Sequence, residues 1–340
     1  MKVQVLLIWA CLLLFPVVAK AVPEEILARE FAETVYPYFA GTFDFGWFEG
    51  TGQKKLRYAA QTAEQEKAVI VLVSGRTEHL TKYAEFFYDL KDAGFSFYIY
   101  DHRGQGSSER LLADPQKGYV DRFHNYVDDL SIFLETKVFS QTESPVFIVS
   151  HSMGGTVSYL YAREKPNRLK GLVLCAPMFS INTAPVPHIV ARILVKSMGV
   201  IGSTESYVFG GGPYDADKKF AENDVTHSSK RFALNKKLVA SFPEVALGSV
   251  TFGWLEQSFL AMDSIRNSNP GTLESPPILI LSGTEDKVVG FDSQKEVCDR
   301  LAGYCRLQSI DGAKHELLME TDAIRDQVQA LIVEFVHGLM

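Results

Sequence analysis

A serine becomes a nucleophile when its hydroxyl is thrust out of a sheet and a base stands within reach. Ser152 has the first condition written around it. It lies in Ser150-His151-Ser152-Met153-Gly154, directly after the apolar run 145–149 and directly before a helical pattern over 155–162. A sharp strand-to-helix turn pushes the hydroxyl outward, and the helix N-terminus that follows favours developing negative charge. Small residues are needed two before and two after the serine, because the strand and helix backbones nearly touch there. Gly154 supplies one; Ser150 stands where glycine is usual, so the strict G-x-S-x-G pattern is broken by a residue that is still small. Taken alone, the pentapeptide also fits a buried strand-turn-helix with an incidental serine.

Two later segments argue against coincidence. The apolar run 277–281 is followed by Ser282-Gly283-Thr284-Glu285-Asp286, and the strand-like run 305–310 by Asp311-Gly312-Ala313-Lys314-His315. A serine, an acid (Glu285 or Asp286) and a histidine thus each follow a predicted strand. Their chain order is neither that of the trypsin type nor that of the subtilisin type. The histidine lies 29 residues beyond Asp286, room for one helix and one strand.

The elements that must position these residues are legible too. Residues 23–35 have helical periodicity, and 43–48 with 55–60 read as a hairpin across Glu49-Gly50-Thr51-Gly52. Strands over 68–74, 95–101, 145–149 and 171–176 alternate with helices over 80–93, 125–139 and 155–162. Short apolar strands between helices predict a mostly parallel sheet flanked by helices. The alternation then stops for about 100 residues, from 176 to 276. No plain loop is that long. Its helical patterns predict a cap inserted over the C-terminal edge of the sheet, with 252–264 as the helix that leads back. The expected division is 1–21 signal peptide, 22–177 first part of the core, 178–272 helical cap and 273–340 second part of the core.

Four separated motifs carry a resemblance: Ser74-Gly75-Arg76-Thr77-Glu78-His79, Asp101-His102-Arg103-Gly104-Gln105-Gly106-Ser107-Ser108, His151-Ser152-Met153-Gly154-Gly155, and 283–289 with His315-Glu316. From about Phe43 onward the chain resembles the α/β-hydrolase superfamily, in the branch of monoacylglycerol lipases and bacterial lysophospholipases. Residues 110–115, 126–130 and 225–228 look like the membrane-associated bacterial lysophospholipases. It departs from the family at Ser74, where histidine is usual, and at Ser150. The resemblance implies an α/β-hydrolase fold and a catalytic triad of Ser152, Asp286 and His315, with Asp286 rather than Glu285 aligning on the family's acid. It implies an oxyanion hole from the backbone N–H groups of Met153 and Arg76. The Arg76 side chain is either solvated or meets a lipid phosphate. Glu78 and His79 brace the oxyanion loop, Asp101 is structural, His151 packs in the elbow, and Glu316 and Glu320 open the last helix. No cofactor is needed for such chemistry, and no spacing suggests a zinc or iron site.

Residues 1–21 look like a secretory signal: Lys2, a nearly unbroken apolar stretch over 5–19, then Ala19-Lys20-Ala21. The stretch is shorter than the about 20 residues of a comfortable membrane span. Export to the periplasm, or to the periplasmic side of the inner membrane, is therefore expected, with the segment either cleaved or kept as an anchor. The net charge of −7 becomes −9 without Lys2 and Lys20 and argues against nucleic acid as a partner. In an oxidising compartment Cys298 and Cys305 could bridge a helix to the following strand, whereas Cys175 reads as a buried strand residue.

The substrate reading rests on 187–198. Here His188, Arg192 and Lys196 recur at i, i+4, i+8 on an otherwise apolar helix. Such a basic stripe suits a membrane surface or an acyl-chain entrance, which makes Arg192 and Lys196 candidate lipid-facing residues; an ordinary packed cap helix is the competing reading. A lysophospholipid or monoacylglycerol is the expected lipid substrate, with peripheral membrane contact. An aminopeptidase of the same fold is the alternative, and a non-catalytic binding protein a third.

Overall fold

The computed structural model describes residues 21–165, 168–268, 276–301 and 303–340. The expected signal segment, apart from Ala21, lies outside the described residues, as does the stretch 269–275 that spans the expected end of the cap. Eight strands form a single sheet: β1 (Asp44–Glu49), β2 (Lys55–Gln61), β3 (Ala68–Val73), β4 (Phe95–Tyr100), β5 (Val146–His151), β6 (Leu169–Cys175), β7 (Ile278–Gly283) and β8 (Cys305–Ile310). Their order is β1-β2-β4-β3-β5-β6-β7-β8, antiparallel across β1-β2-β4 and parallel from β4 to β8. The mostly parallel sheet is the one the strand–helix alternation predicted, and the α/β-hydrolase fold is the one the resemblance implied.

The interior strands are apolar along their whole length because both sheet faces are covered. Every residue of β3, β4, β5 and β7 is buried, and one large core lies on each side. The hairpin turns at Thr51–Gln53, where Gly52 takes φ 67°, a conformation glycine adopts freely. The N-terminal helical run is longer than the periodicity suggested. It passes through a π-helical stretch, Phe31–Val35, and ends only at Thr42, because Val35 and Phe39 extend its buried face onto the second core.

Between β6 and β7 the chain forms three main helices: His188–Val200, Ser229–Ser241 and Phe252–Asn267. The third carries Phe259 and Met262 against Val195 of the first. The second is tied down by Arg231, which is 2% exposed and pairs with Glu85 and Asp322 at 2.8 Å each. This anchor joins residues far apart in sequence, and nothing in the local pattern signals it.

Glu316 and Glu320 do not open the last helix, which is Asp322–His337. Glu316 instead pairs with buried Lys82 at 2.9 Å. Glu320 is fully buried and accepts from the backbone N–H groups of His227, Lys314 and Thr321. A carboxylate with that many donors holds a loop crossing together and is unavailable to a helix start.

Candidate active site

The turn after β5 has the strain that exposes a nucleophile. Ser152 adopts φ 51°, ψ −115°, outside the regions that L-residues prefer. The turn tolerates nothing larger than glycine at 154, since a Cβ there would stand 2.2 Å from the Val73 carbonyl oxygen and 2.5 Å from that of Ser74. Ser150 fits at the other close approach because its side chain stays small and reaches the Val173 carbonyl at 3.4 Å.

His315, carried by the loop after β8, places Nε2 2.9 Å from Ser152 Oγ. Its Nδ1 lies 2.8 Å from Asp286 Oδ2, in the loop after β7. Asp286 Oδ1 accepts from the backbone N–H groups of Val288 and Val289 at 2.7 and 3.1 Å, which fixes the carboxylate plane. Glu285 points elsewhere, to His227 at 3.3 Å. Burial raises the Asp286 carboxyl, but the His315 hydrogen bond and charge and the two N–H donors outweigh it, so its pKa lies below the ordinary value. Burial lowers His315; Asp286 opposes and the neighbouring His151 reinforces, and the net direction is down. A neutral imidazole with one nitrogen on a serine hydroxyl and the other on a carboxylate is equipped to accept the hydroxyl proton.

His151 has an acceptor at each ring nitrogen. Nδ1 faces Glu78 Oε1 at 3.1 Å, and Nε2 faces the backbone oxygen of His315 at 3.1 Å. Both nitrogens donate only when the ring is an imidazolium. Burial disfavours that charge, yet the Glu78 carboxylate and its hydrogen bond outweigh burial and raise the pKa. Glu78 also receives the Gly75 N–H, Lys82 Nζ at 2.9 Å and the Tyr83 hydroxyl at 2.6 Å. It therefore ties the loop after β3 to the elbow. His79, beside it, has both ring nitrogens buried with no hydrogen-bond partner among the described residues, and burial lowers its pKa to about 4. Asp101 is wholly internal: it accepts from the N–H groups of Leu80 and Ser107, and burial raises its pKa to about 7.

Met153 opens the helix Met153–Glu164 behind the serine. Among the described residues neither its backbone N–H nor that of Arg76 donates to a protein acceptor. Arg76 and Ser152 line one cavity of about 490 Å³, with Met178, Leu194, Val195, Val208, Phe252, Trp254 and other mostly apolar side chains. Its far wall belongs to the β6–β7 insertion. The Arg76 guanidinium is half-buried there: it lies 5.5 Å from the Trp254 ring centroid and donates to the Gly248 carbonyl.

The residues of the supposed basic stripe separate. His188 packs edge-on against Phe259 with ring centroids 5.3 Å apart. Arg192 forms an ion pair with Asp263 and lies 4.9 Å from the Phe259 ring centroid, so its charge is compensated and turned toward the third insertion helix. Lys196 is exposed. The outward face is instead apolar: Ile189, Ile193 and Val200 are 72%, 62% and 82% exposed. Asp263 is distant in sequence and adjacent to Arg192 only in the fold, so spacing does not reveal the pair. Cys298, in Phe291–Arg300, and Cys305, which opens β8, are joined by a disulfide with Cα atoms 5.3 Å apart. No cluster of potential metal ligands occurs among the described residues.

Comparison with known proteins gives the family and the fold. The model of the family described as "Serine aminopeptidase, S33" matches residues 64–322. Lysophospholipase L2 of Escherichia coli K12 is 36% identical over 295 residues, covering 85% of this chain and 86% of that protein. "Probable lysophospholipase L2" of Haemophilus influenzae is 29% identical over 304 residues, covering 88% and 94%. Among solved structures, a soluble variant of monoglyceride lipase from Saccharomyces cerevisiae superposes with a TM-score of 0.70 at 18% identity, over 90% of this chain and all of that one.

Proposed function

The chain belongs to the serine aminopeptidase S33 family of α/β hydrolases, and from that premise we propose that this carboxylic ester hydrolase cleaves the acyl ester of lysophospholipids or monoacylglycerols through a Ser152-His315-Asp286 triad and an acyl-enzyme. The observation that carries the reading is the hydrogen-bonded chain from Asp286 through His315 to Ser152, opening into an apolar cavity. Ser152 Oγ attacks the ester carbonyl carbon while His315 Nε2 takes its proton. The Met153 and Arg76 N–H groups receive the oxyanion, each worth about 3–4 kcal/mol in the transition state. Collapse expels the glycerol-side alcohol, which takes its proton from His315, and water then releases the fatty acid by the same steps.

Two observations favour an ester of a lipid over the amide of a peptide. The cavity walls suit an acyl chain. Glu316, the carboxylate among the lining residues, is held by Lys82 and is not free to grip a peptide's amino terminus. Purified protein should release fatty acid from lysophosphatidylcholine, lysophosphatidylethanolamine or monoacylglycerol faster than amine from an aminoacyl amide. The reverse preference rejects the reading in favour of the aminopeptidase, and no turnover of any of them favours a non-catalytic binding protein.

The reading extends to residues 22–177 and 273–340 as the catalytic core, with 178–272 as its cap. We place the enzyme at the periplasmic face of the inner membrane. Support comes from the signal-like composition of residues 1–21, and from a disulfide that persists in oxidising compartments. The apolar face of the helix His188–Val200 supports a peripheral lipid contact. No described helix is long and apolar enough to cross a membrane. Cell fractionation with N-terminal sequencing tests the placement; recovery with the cytosolic fraction rejects it.

A further inference from the structure

Arginines buried in this protein are paired with carboxylates. Arg103 meets Asp129 at 2.6 Å, Arg231 meets Glu85 and Asp322 at 2.8 Å, and Arg325 meets Asp89 at 2.5 Å. Half-buried Arg76, like half-buried Arg110 and Arg300, meets only carbonyl oxygen, but it is the arginine that lines the cavity beside Ser152. Its Nη2 donates to a neutral carbonyl, that of Gly248, and its Nε is buried with no hydrogen-bond partner. Among the described residues it forms no ion pair. A guanidinium left without a carboxylate in an apolar cavity is unfavourable unless an anion arrives to compensate it.

We infer that Arg76 is the specificity residue for the substrate's headgroup, its guanidinium holding the phosphodiester anion of a lysophospholipid while the ester lies at Ser152. This rests on the ester hydrolase reading and deepens it, since neutral monoacylglycerols offer no such anion. Reach is consistent. The path from the ester carbonyl carbon through the glycerol to phosphorus has as many covalent bonds as the path from the Arg76 backbone nitrogen to its Cζ. A backbone N–H at the oxyanion therefore leaves the side chain long enough to meet the phosphate. The guanidinium lies 5.5 Å from the Trp254 ring centroid and close to Gly118. A Cβ at 118 would stand 2.8 Å from Nη2, so a larger residue there would shift the guanidinium. Burial lowers the Arg76 pKa to about 10, and the group stays cationic at neutral pH. A planar fork of N–H donors is suited to two phosphate oxygens.

The test compares lysophosphatidylethanolamine with monoacylglycerol of one acyl length, both below their critical micelle concentrations, on the wild-type chain, Arg76→Gln and Arg76→Lys. The ratio of kcat/KM for the phospholipid over the neutral lipid should fall about tenfold or more in Arg76→Gln, chiefly through KM. Arg76→Lys, which keeps the charge but not the fork, should give a ratio between those of wild type and Arg76→Gln. An unchanged ratio in Arg76→Gln overturns the assignment. So does an unchanged ratio accompanied by relief of inhibition by free fatty acid, which would give the cation to the product carboxylate. A measurement on the wild type alone covers the case in which the glutamine variant does not fold. Glycerophosphoethanolamine should inhibit monoacylglycerol hydrolysis competitively where glycerol at equal concentration does not, and equal inhibition by the two overturns the assignment. Failure of the wild type to hydrolyse either lipid would reject the underlying ester hydrolase reading, a result separate from any change of ratio.

Discussion

The sheet and the insertion that faces it hold their residues in opposite ways. β3, β4, β5 and β7 are buried on both faces from end to end. The loops that leave β5, β7 and β8 carry Ser152, Asp286 and His315. The insertion helix His188–Val200 buries only Ala191 and Val195 fully, and turns Ile189, Ile193 and Val200 outward. Two-sided burial fixes backbone positions to the precision that proton transfer requires. One-sided packing leaves an apolar surface exposed. The proposed chemistry, with the headgroup contact at Arg76 in the loop after β3, belongs to the first region, and the exposed apolar surface belongs to the second.

The sharpest way to break that division is at the nucleophile. Ser152→Ala should lower kcat by about 10⁴–10⁶-fold while leaving the thermal midpoint close to wild type. Near-normal turnover with a short soluble ester would remove the core from the chemistry altogether. Next comes the acid. Asp286→Asn should cost about 10⁴-fold, because the wrong histidine tautomer then faces the serine. Glu285→Gln, which loses only a contact to half-exposed His227, should leave turnover near wild type; the opposite order would reassign the acid. The pH profile sharpens the same point. His315 must be neutral to take the proton, and its pKa is lowered by burial. Activity should therefore persist below the ordinary histidine value of about 6.5 and fall as pH drops through the shifted one. An acid limb centred well above 6.5 contradicts this.

Smaller effects probe what surrounds the site. Replacing Cys298 and Cys305 together by serine should cost about 2 kcal/mol, the low end of the usual range, because the closed loop is short. Chemical denaturation measures it, and an unchanged midpoint would show that the bridge does not constrain the unfolded chain. The smallest effect is expected on the insertion. Ile189→Asp with Ile193→Asp should lower hydrolysis of lipid in vesicles several-fold. It should leave a soluble ester and the thermal midpoint nearly untouched, since exposed substitutions typically change stability by less than about 0.5 kcal/mol. Equal losses on both substrates would mean that this face packs inward during catalysis. Arg192→Glu is a poorer probe of charge at that surface, because it would oppose Asp263 within the fold.

By itself the sequence determined the α/β fold and the strand ends that carry a serine, an acid and a histidine. Those features are local: unbroken apolar runs such as 68–73 and 278–281 are legible because both sheet faces are covered, and the residues of interest lie directly behind such runs. The helices between β6 and β7 were legible only as a gap in alternation, since one-sided helices give a weak pattern. What the tertiary structure decided is which side chains meet. It set Glu285 against His227 and Asp286 against His315. It gave Arg192 its carboxylate and left Arg76 without one among the described residues. It also placed Glu78 beneath both the loop after β3 and the elbow. Each of these depends on contacts between residues distant in the chain, where burial and an unbalanced or balanced charge, rather than spacing, determine what a residue can do.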